Sequence, residues 1–316
     1  MESIEIKLRQ AIDAFNKGNY QISFDIFKPL AEEGNAKAQF HLGFLYRIGQ
    51  AVNQDYDQAY HWYLLSANQG YAEAQYKIGL MYYKGQVVKK NFQKAFDWYS
   101  LAAKQQNPKA QFNLGVLYRR AQGVTRDNEK ALDWFLAAGK QGYAIAQFTV
   151  GVIYANGQGV SKNFQKAFKW YSLSAEQGDL KAQFSLGVMY DNGQGVMQDY
   201  QKAFKWISLP AEKGDEKAQF FLGCMYEDGQ GVTQNYTEAI KWYTLAAEQK
   251  EPMAQSNLGH LYANEQTGKL DYVQAHKWFN ISGAKEKENI EKLMSPNHIT
   301  EAQKLAREWI NEHKKH

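Results

Sequence analysis

Residues 181–214 read KAQFSLGVMYDNGQGVMQDYQKAFKWISLPAEKG, and the turn at their centre, Asn192–Val196, poses the question that decides the fold. A Gly-x-Gly ahead of a helix-like run is one way nucleotide sites cradle phosphate. The same NGQGV stands at Asn156–Val160 and returns as DGQGV at Asp228–Val232, each copy 36 residues after the last. A phosphate loop is seldom needed at every step of a fixed period, so the glycines read as a repeating turn that needs their φ freedom.

The period extends well beyond the turn. Trp62, Trp98, Trp134, Trp170, Trp206, Trp242 and Trp278 keep it, as do Gly43, Gly79, Gly115, Gly151, Gly187, Gly223 and Gly259. Ala38-Gln39 recurs through Ala254-Gln255, and Tyr46 through Tyr262. Each unit reads as two helices. Asp179 is placed to N-cap the first, LKAQFSLGVMYDN, and Gly193 to end it in a left-handed conformation. Pro108 and Pro252 fall at the first helical position, where proline is tolerated. The second helix opens on an Asx in every copy: Asp55, Asn91, Asp127, Asn163, Asp199, Asn235 and Asp271.

The first helix carries an apolar arc, Ala182, Leu186, Met189 and Tyr190, facing its partners. Glycine at Gly187 costs roughly 1 kcal/mol against alanine in a helix interior, so its recurrence predicts close backbone approach by a neighbouring helix. Ala203 and the Trp206 column are expected to line the facing helix as inter-repeat core.

The pattern Ala-x-x-x-Leu-Gly-x-x-Tyr, a Gly-x-Gly-Val turn, then Asp-Tyr-x-x-Ala-x-x-Trp resembles the Sel1-like repeat family, a branch of the tetratricopeptide-type arrays, over residues 36 to about 285. The resemblance implies an all-α, right-handed superhelical solenoid of antiparallel helix pairs whose first helices line a concave wall. It also implies a non-enzymatic scaffold or adaptor that binds a protein or peptide there. Residues 1–35 read as a divergent N-terminal helix pair with Ile26 at the tryptophan position, making eight pairs in all. Residues 286–316 read as a capping region whose helix opens at Pro296 and carries Leu305, Trp309 and Ile310. Pro210 is expected to kink its helix, and the seventh turn, NEQTGKL, to differ in shape because it lacks the glycine pair.

Composition bounds the function. The 316 residues are 44% hydrophobic, with 37 Lys+Arg against 33 Asp+Glu, so the basic stripe of a dedicated nucleic-acid binder is missing. A single cysteine, Cys224, excludes an intramolecular disulfide and fits a reducing compartment. No apolar h-region or 18-residue apolar run occurs, and a cytoplasmic monomer without cofactor, metal, nucleic-acid partner or membrane insertion is expected. None of the seven histidines has metal-ligand spacing, and His260 and His276 read as surface or satisfied residues despite lying in one repeat. Cys224 stands in a column of apolar residues and reads as one of them.

Candidate partner-binding positions come from the columns that vary between copies. Lys37, His41, Phe44 and Ile48 fall within about 60° on the first helix, on the side away from the buried glycine. Down the array the His41 column reads Lys77, Asn113, Thr149, Ser185, Phe221 and Asn257, while Leu80, Cys224 and His260 share the Phe44 column. The helix ends are basic early, at Arg47, Lys84, Arg119 and Arg120, and acidic later, at Asp191, Glu227 and Asp228. Asp191 and Glu227 oppose the helix dipole, which points to a basic partner segment. Two rival readings stay open: an enzyme of the β-lactamase kind associated with cysteine-rich Sel1-like relatives, which a β-lactam turnover assay would reveal, and a self-assembling structural protein.

Overall fold

The computed structural model describes residues 3–313, in which helices joined by short turns are the only regular structure, without strands. The chain divides into two compact units, residues 1–162 and 163–316. The first holds α1 (Ile4–Asn16), α2 (Tyr20–Glu32), α3 (Ala36–Ile48), α4 (Tyr56–Asn68), α5 (Ala72–Lys84), α6 (Phe92–Lys104), α7 (Pro108–Arg120), α8 (Asn128–Lys140) and α9 (Ala144–Asn156). The second holds α10 (Phe164–Glu176), α11 (Leu180–Asn192), α12 (Tyr200–Glu212), α13 (Glu216–Asp228), α14 (Tyr236–Glu248), α15 (Pro252–Ala263), α16 (Tyr272–Ser282), α17 (Lys287–Glu291) and α18 (Pro296–His313). Within each unit every helix packs on its sequence neighbours up to α16, and α18 packs on α16. This is the solenoid class of helix pairs.

Local chemistry sets the boundaries. All seven Asx residues cap their second helices, as Asp199 does by accepting from the Lys202 amide at 2.9 Å. First helices are capped by Asn35, Asn107, Asp179 and Asp215, at 2.8 Å from Asp179 to the Ala182 amide. They end on left-handed residues, with Gly193 at φ 65. The second glycine of the turn meets two demands. Gly195 has φ 73, and a β-carbon there would collide with the backbone of Phe164 at the start of α10. The turn therefore rests on the preceding helix N-terminus instead of holding a ligand. The seventh turn forms a 3-10 segment, Glu265–Thr267, held by the buried Thr267 hydroxyl, which donates to Asn264 O at 2.7 Å.

Two packing expectations need correction. The tryptophans of the period are only half-buried apart from Trp278, and the enclosed column is the next one: Tyr63, Tyr99, Phe135, Tyr171, Ile207, Tyr243 and Phe279. Trp and its successor lie about 100° apart on a helix, and it is the successor that points at the mid-helix glycine. A β-carbon on Gly79 would stand 2.7 Å from Cδ1 of Tyr99. The glycine thus receives a side chain, with backbone approach secondary: the Ala203 carbonyl would lie 3.2 Å from a β-carbon on Gly187. Pro210 lies buried inside α12, which still runs its 13 residues from Tyr200 to Glu212; having no N–H, the proline leaves the Trp206 carbonyl without the amide donor four residues on.

A glutamine ladder ties successive pairs together. Gln75 is buried, its amide donating to Ala67 O at 3.2 Å and its oxygen accepting from Gln105 at 2.9 Å. Gln39, Gln111 and Gln219 are bonded in the same way, by Gln69, Gln141 and Gln249. At the C-terminal end, Trp309 of α18 lies edge-on to Trp278 at 5.9 Å and donates from its indole N–H to Glu248 of α14 at 2.8 Å. The buried face of α18 is Ala302, Ala306 and Trp309, with Leu305 and Ile310 at its margins.

Candidate partner-binding surface on the first helices

The varying stripe is less free than its variability implies. Each member of the His41 column stands 14 residues after an enclosed residue of the preceding second helix, and several of them meet it. His41 stacks on Phe27, centroids 4.7 Å apart and planes 3° apart. Asn113 stands beside the hydroxyls of Tyr76 and Tyr99, Ser185 beside that of Tyr171, and the Asn257 amide donates to the Tyr243 hydroxyl at 3.0 Å. Phe221 stands 14 residues after the aliphatic Ile207 and meets Phe184 and Phe220 edge-on. Where the enclosed residue is Phe135, Thr149 turns its hydroxyl to its own helix at Ile145 O, 2.7 Å. Part of the variation is compensation: polar partners accompany tyrosine hydroxyls. The signal was present in sequence, as two columns that change together.

In residues 1–162, first helices combine to form a cavity of about 390 Å³. α1 contributes Phe15, α3 contributes Phe40, His41 and Phe44, α5 contributes Glu73, Tyr76 and Lys77, and α7 contributes Pro108 and Lys109 together with its N-cap Asn107. Phe15 meets Phe44 edge-on at 5.4 Å, so the wall is aromatic. Burial, and then Lys37, lower His41 to about 4, leaving it neutral. Lys77 is half-buried over the Tyr76 ring, and burial together with Arg47, Lys109 and Lys84 lowers it to about 8. Of the expected positions, His41, Phe44 and Lys77 converge here. Lys37 and Arg120 are exposed, Ile48 and Leu80 half-buried. Arg120 reaches the Tyr83 hydroxyl at 3.5 Å. Phe15, Tyr76, Pro108 and Lys109 were not singled out, because they lie in neighbouring columns or in α1, outside the regular period.

In residues 163–316, the Tyr243 hydroxyl is the hub. It donates to Glu227 at 2.6 Å and lies 3.2 Å from the Cys224 sulfur. Glu227 thus has an internal reason to stand against the helix dipole. Asp191 has none: its carboxylate has no partner among the described residues, and burial with the nearby Asp228 raises its affinity for a proton. Burial pushes the Cys224 thiol up to about 11, so it is not a thiolate at neutral pH. His260 is exposed with its ring edge-on to Phe279 at 5.0 Å, whereas His276 is buried and bonded to Glu291 at 2.7 Å; the two serve different surroundings. Among the described residues no His, Cys, Asp and Glu group is arranged to hold a metal, and no helix is long and apolar enough to cross a membrane.

The Sel1 repeat pattern matches seven consecutive segments, 36–71, 72–107, 108–143, 144–179, 180–215, 216–251 and 252–285. The chain belongs to the Sel1 repeat family. Among solved structures it is similar to c5321, a protective antigen of uropathogenic Escherichia coli strains displaying an SLR fold, at 28% identity and a TM-score of 0.64, over 98% of this chain and 76% of that one. It is also similar to a Sel1 repeat protein from Oxalobacter formigenes, at 31% identity and a TM-score of 0.66, over 76% of this chain and 96% of that one. No curated protein matches the sequence. Sel1 repeat arrays are commonly protein-interaction scaffolds and typically non-enzymatic.

Proposed function

We propose that this Sel1 repeat chain is a non-enzymatic scaffold or adaptor that takes a protein or peptide partner along the face of its first helices. The observation that carries this reading is the cavity shared by α1, α3, α5 and α7. A site assembled from four successive helix pairs suits an extended ligand that runs across repeats, since repeat arrays bind along the surface their stacking creates. The neutral His41 and the protonated Cys224 thiol offer no activated nucleophile or base.

The test is affinity capture from the native cell with the full chain as bait, quantified by mass spectrometry. Three baits are compared: the original, a first-helix variant (Phe44→Ala with Lys77→Glu) and an outer-helix variant (Lys169→Glu with Lys205→Glu). A partner held by the original and the outer variant but lost by the first-helix variant supports the proposal. A partner lost only by the outer variant overturns it.

A further inference from the structure

The strongest unassigned feature is the chemical mismatch inside the aromatic cavity of residues 1–162. Its walls, Phe15, Phe40, Phe44 and Tyr76, would take an apolar group, and its volume of about 390 Å³ lies at the lower end of ligand pockets, about 300–1,000 Å³. Yet Lys77 projects into the same space with no ion-pair partner among the described residues, and Lys109 lies at its edge. Glu73 is the one carboxylate in the lining and is exposed. The charges felt at Lys77 are all cationic: Arg47, Lys109 and Lys84. Arg47 itself lies over the Phe44 ring at 4.5 Å, extending the positive field along the helix face. Like charges gathered around a half-buried ammonium are unfavourable to the free protein and become favourable once an anion arrives.

Resting on the peptide-binding reading above, we propose that the cavity between α1, α3, α5 and α7 takes an aromatic or large aliphatic side chain from an acidic peptide segment, with Lys77 and Lys109 pairing the flanking carboxylates. The apolar wall supplies the anchor and the ammonium groups set the register. A small anion would use the lysines but leave the four rings uncovered; an apolar peptide would cover the rings but leave the half-buried Lys77 without a counter-charge. Only a chain carrying both satisfies the whole site.

The experiment pans a random twelve-residue peptide display library against the full chain, then measures selected peptides by fluorescence anisotropy. The proposal expects Asp and Glu beside a Phe, Trp, Leu or Ile in the enriched set. Binding should weaken at least tenfold with Lys77→Glu and with the exposed Lys109→Glu, which leaves folding untouched, and should fall as sodium chloride rises. Enriched peptides that are basic or uncharged, or that bind both variants normally, overturn the proposal. So does an empty selection, and so does displacement by a single-stranded oligonucleotide of equal charge at equal concentration. If selected peptides instead lose binding on Ser185→Glu or Phe221→Ala, this pocket fails while first-helix recognition stands. Loss confined to Lys169→Glu and Lys205→Glu overturns both.

Discussion

A β-carbon added to Gly187 in the middle of α11 would stand 2.5 Å from Cγ1 of Ile207 in α12. Real β-carbons do not approach that closely, so the pair of helices is set by the absence of a side chain on one and the presence of one on the other. Gly187→Val should therefore destabilise the protein by about 1–3 kcal/mol, the usual cost of overpacking. Urea unfolding followed by circular dichroism gives the number, and a transition unchanged within error would contradict the packing account.

At the second turn the chain puts a β-branched residue where the next four copies have Gly123, Gly159, Gly195 and Gly231. Val87 has φ 66, in the left-handed region, and is 43% exposed, so trimming it removes little buried surface. A left-handed L-residue costs roughly 1–2 kcal/mol, against about 0.5–1 kcal/mol of extra backbone entropy for glycine. Val87→Gly should raise the urea midpoint by the equivalent of about 0.5–1 kcal/mol. A lower midpoint would mean that the valine side chain contributes packing that outweighs the strain.

How much was legible follows from where each signal lives. The Asx caps, the left-handed glycines and the 36-residue period are local and periodic, and Asp199 or Gly193 could be assigned from the sequence around them. The enclosed column was not, because Trp206 and Ile207 are both apolar and only the crossing of α11 and α12 decides which one meets Gly187. The site was half legible: His41, Phe44 and Lys77 stand in varying columns, but Tyr76 and Pro108 sit in positions that look like core or cap. At Asn113 and Asn257 the variation also has an internal reason, because each faces a tyrosine hydroxyl.

His41 gives the fold a measurable response to acid. Its ordinary value of 6.5 falls to about 4 in the folded chain, by burial against Phe27 and then by Lys37. Between those values the unfolded chain binds a proton that the folded chain does not, so stability rises with pH across the window and is lost as pH falls from 6.5 towards 4. The loss attributable to His41 at pH 4.5 is about 2–3 kcal/mol. Comparing urea unfolding at pH 4.5 and 7.5, His41→Phe should lose less stability than the original by that amount. An equal loss in both proteins would show that His41 is protonated in the folded state.

Trp309 closes the last helix pairs. It is nearly buried, packs on Trp278 and bonds to Glu248. Trp309→Ala should cost about 3–5 kcal/mol, as for other buried tryptophans, and should promote association by uncovering Trp278. Chemical unfolding and sedimentation velocity report the two effects. A variant of unchanged stability that stays monomeric would mean that α18 is not a cover for α16.

The central claim is that a partner lies along the first helices, and a photo-crosslinker tests it most directly. p-Benzoylphenylalanine is placed at Phe44 on α3 in one protein and at Lys205 on the exposed side of α12 in another, and each is irradiated in the native cell. The account predicts a covalent partner adduct from the Phe44 position, abolished by Lys77→Glu, and none from the Lys205 position. An adduct from Lys205 alone would contradict it and move recognition to the second helices.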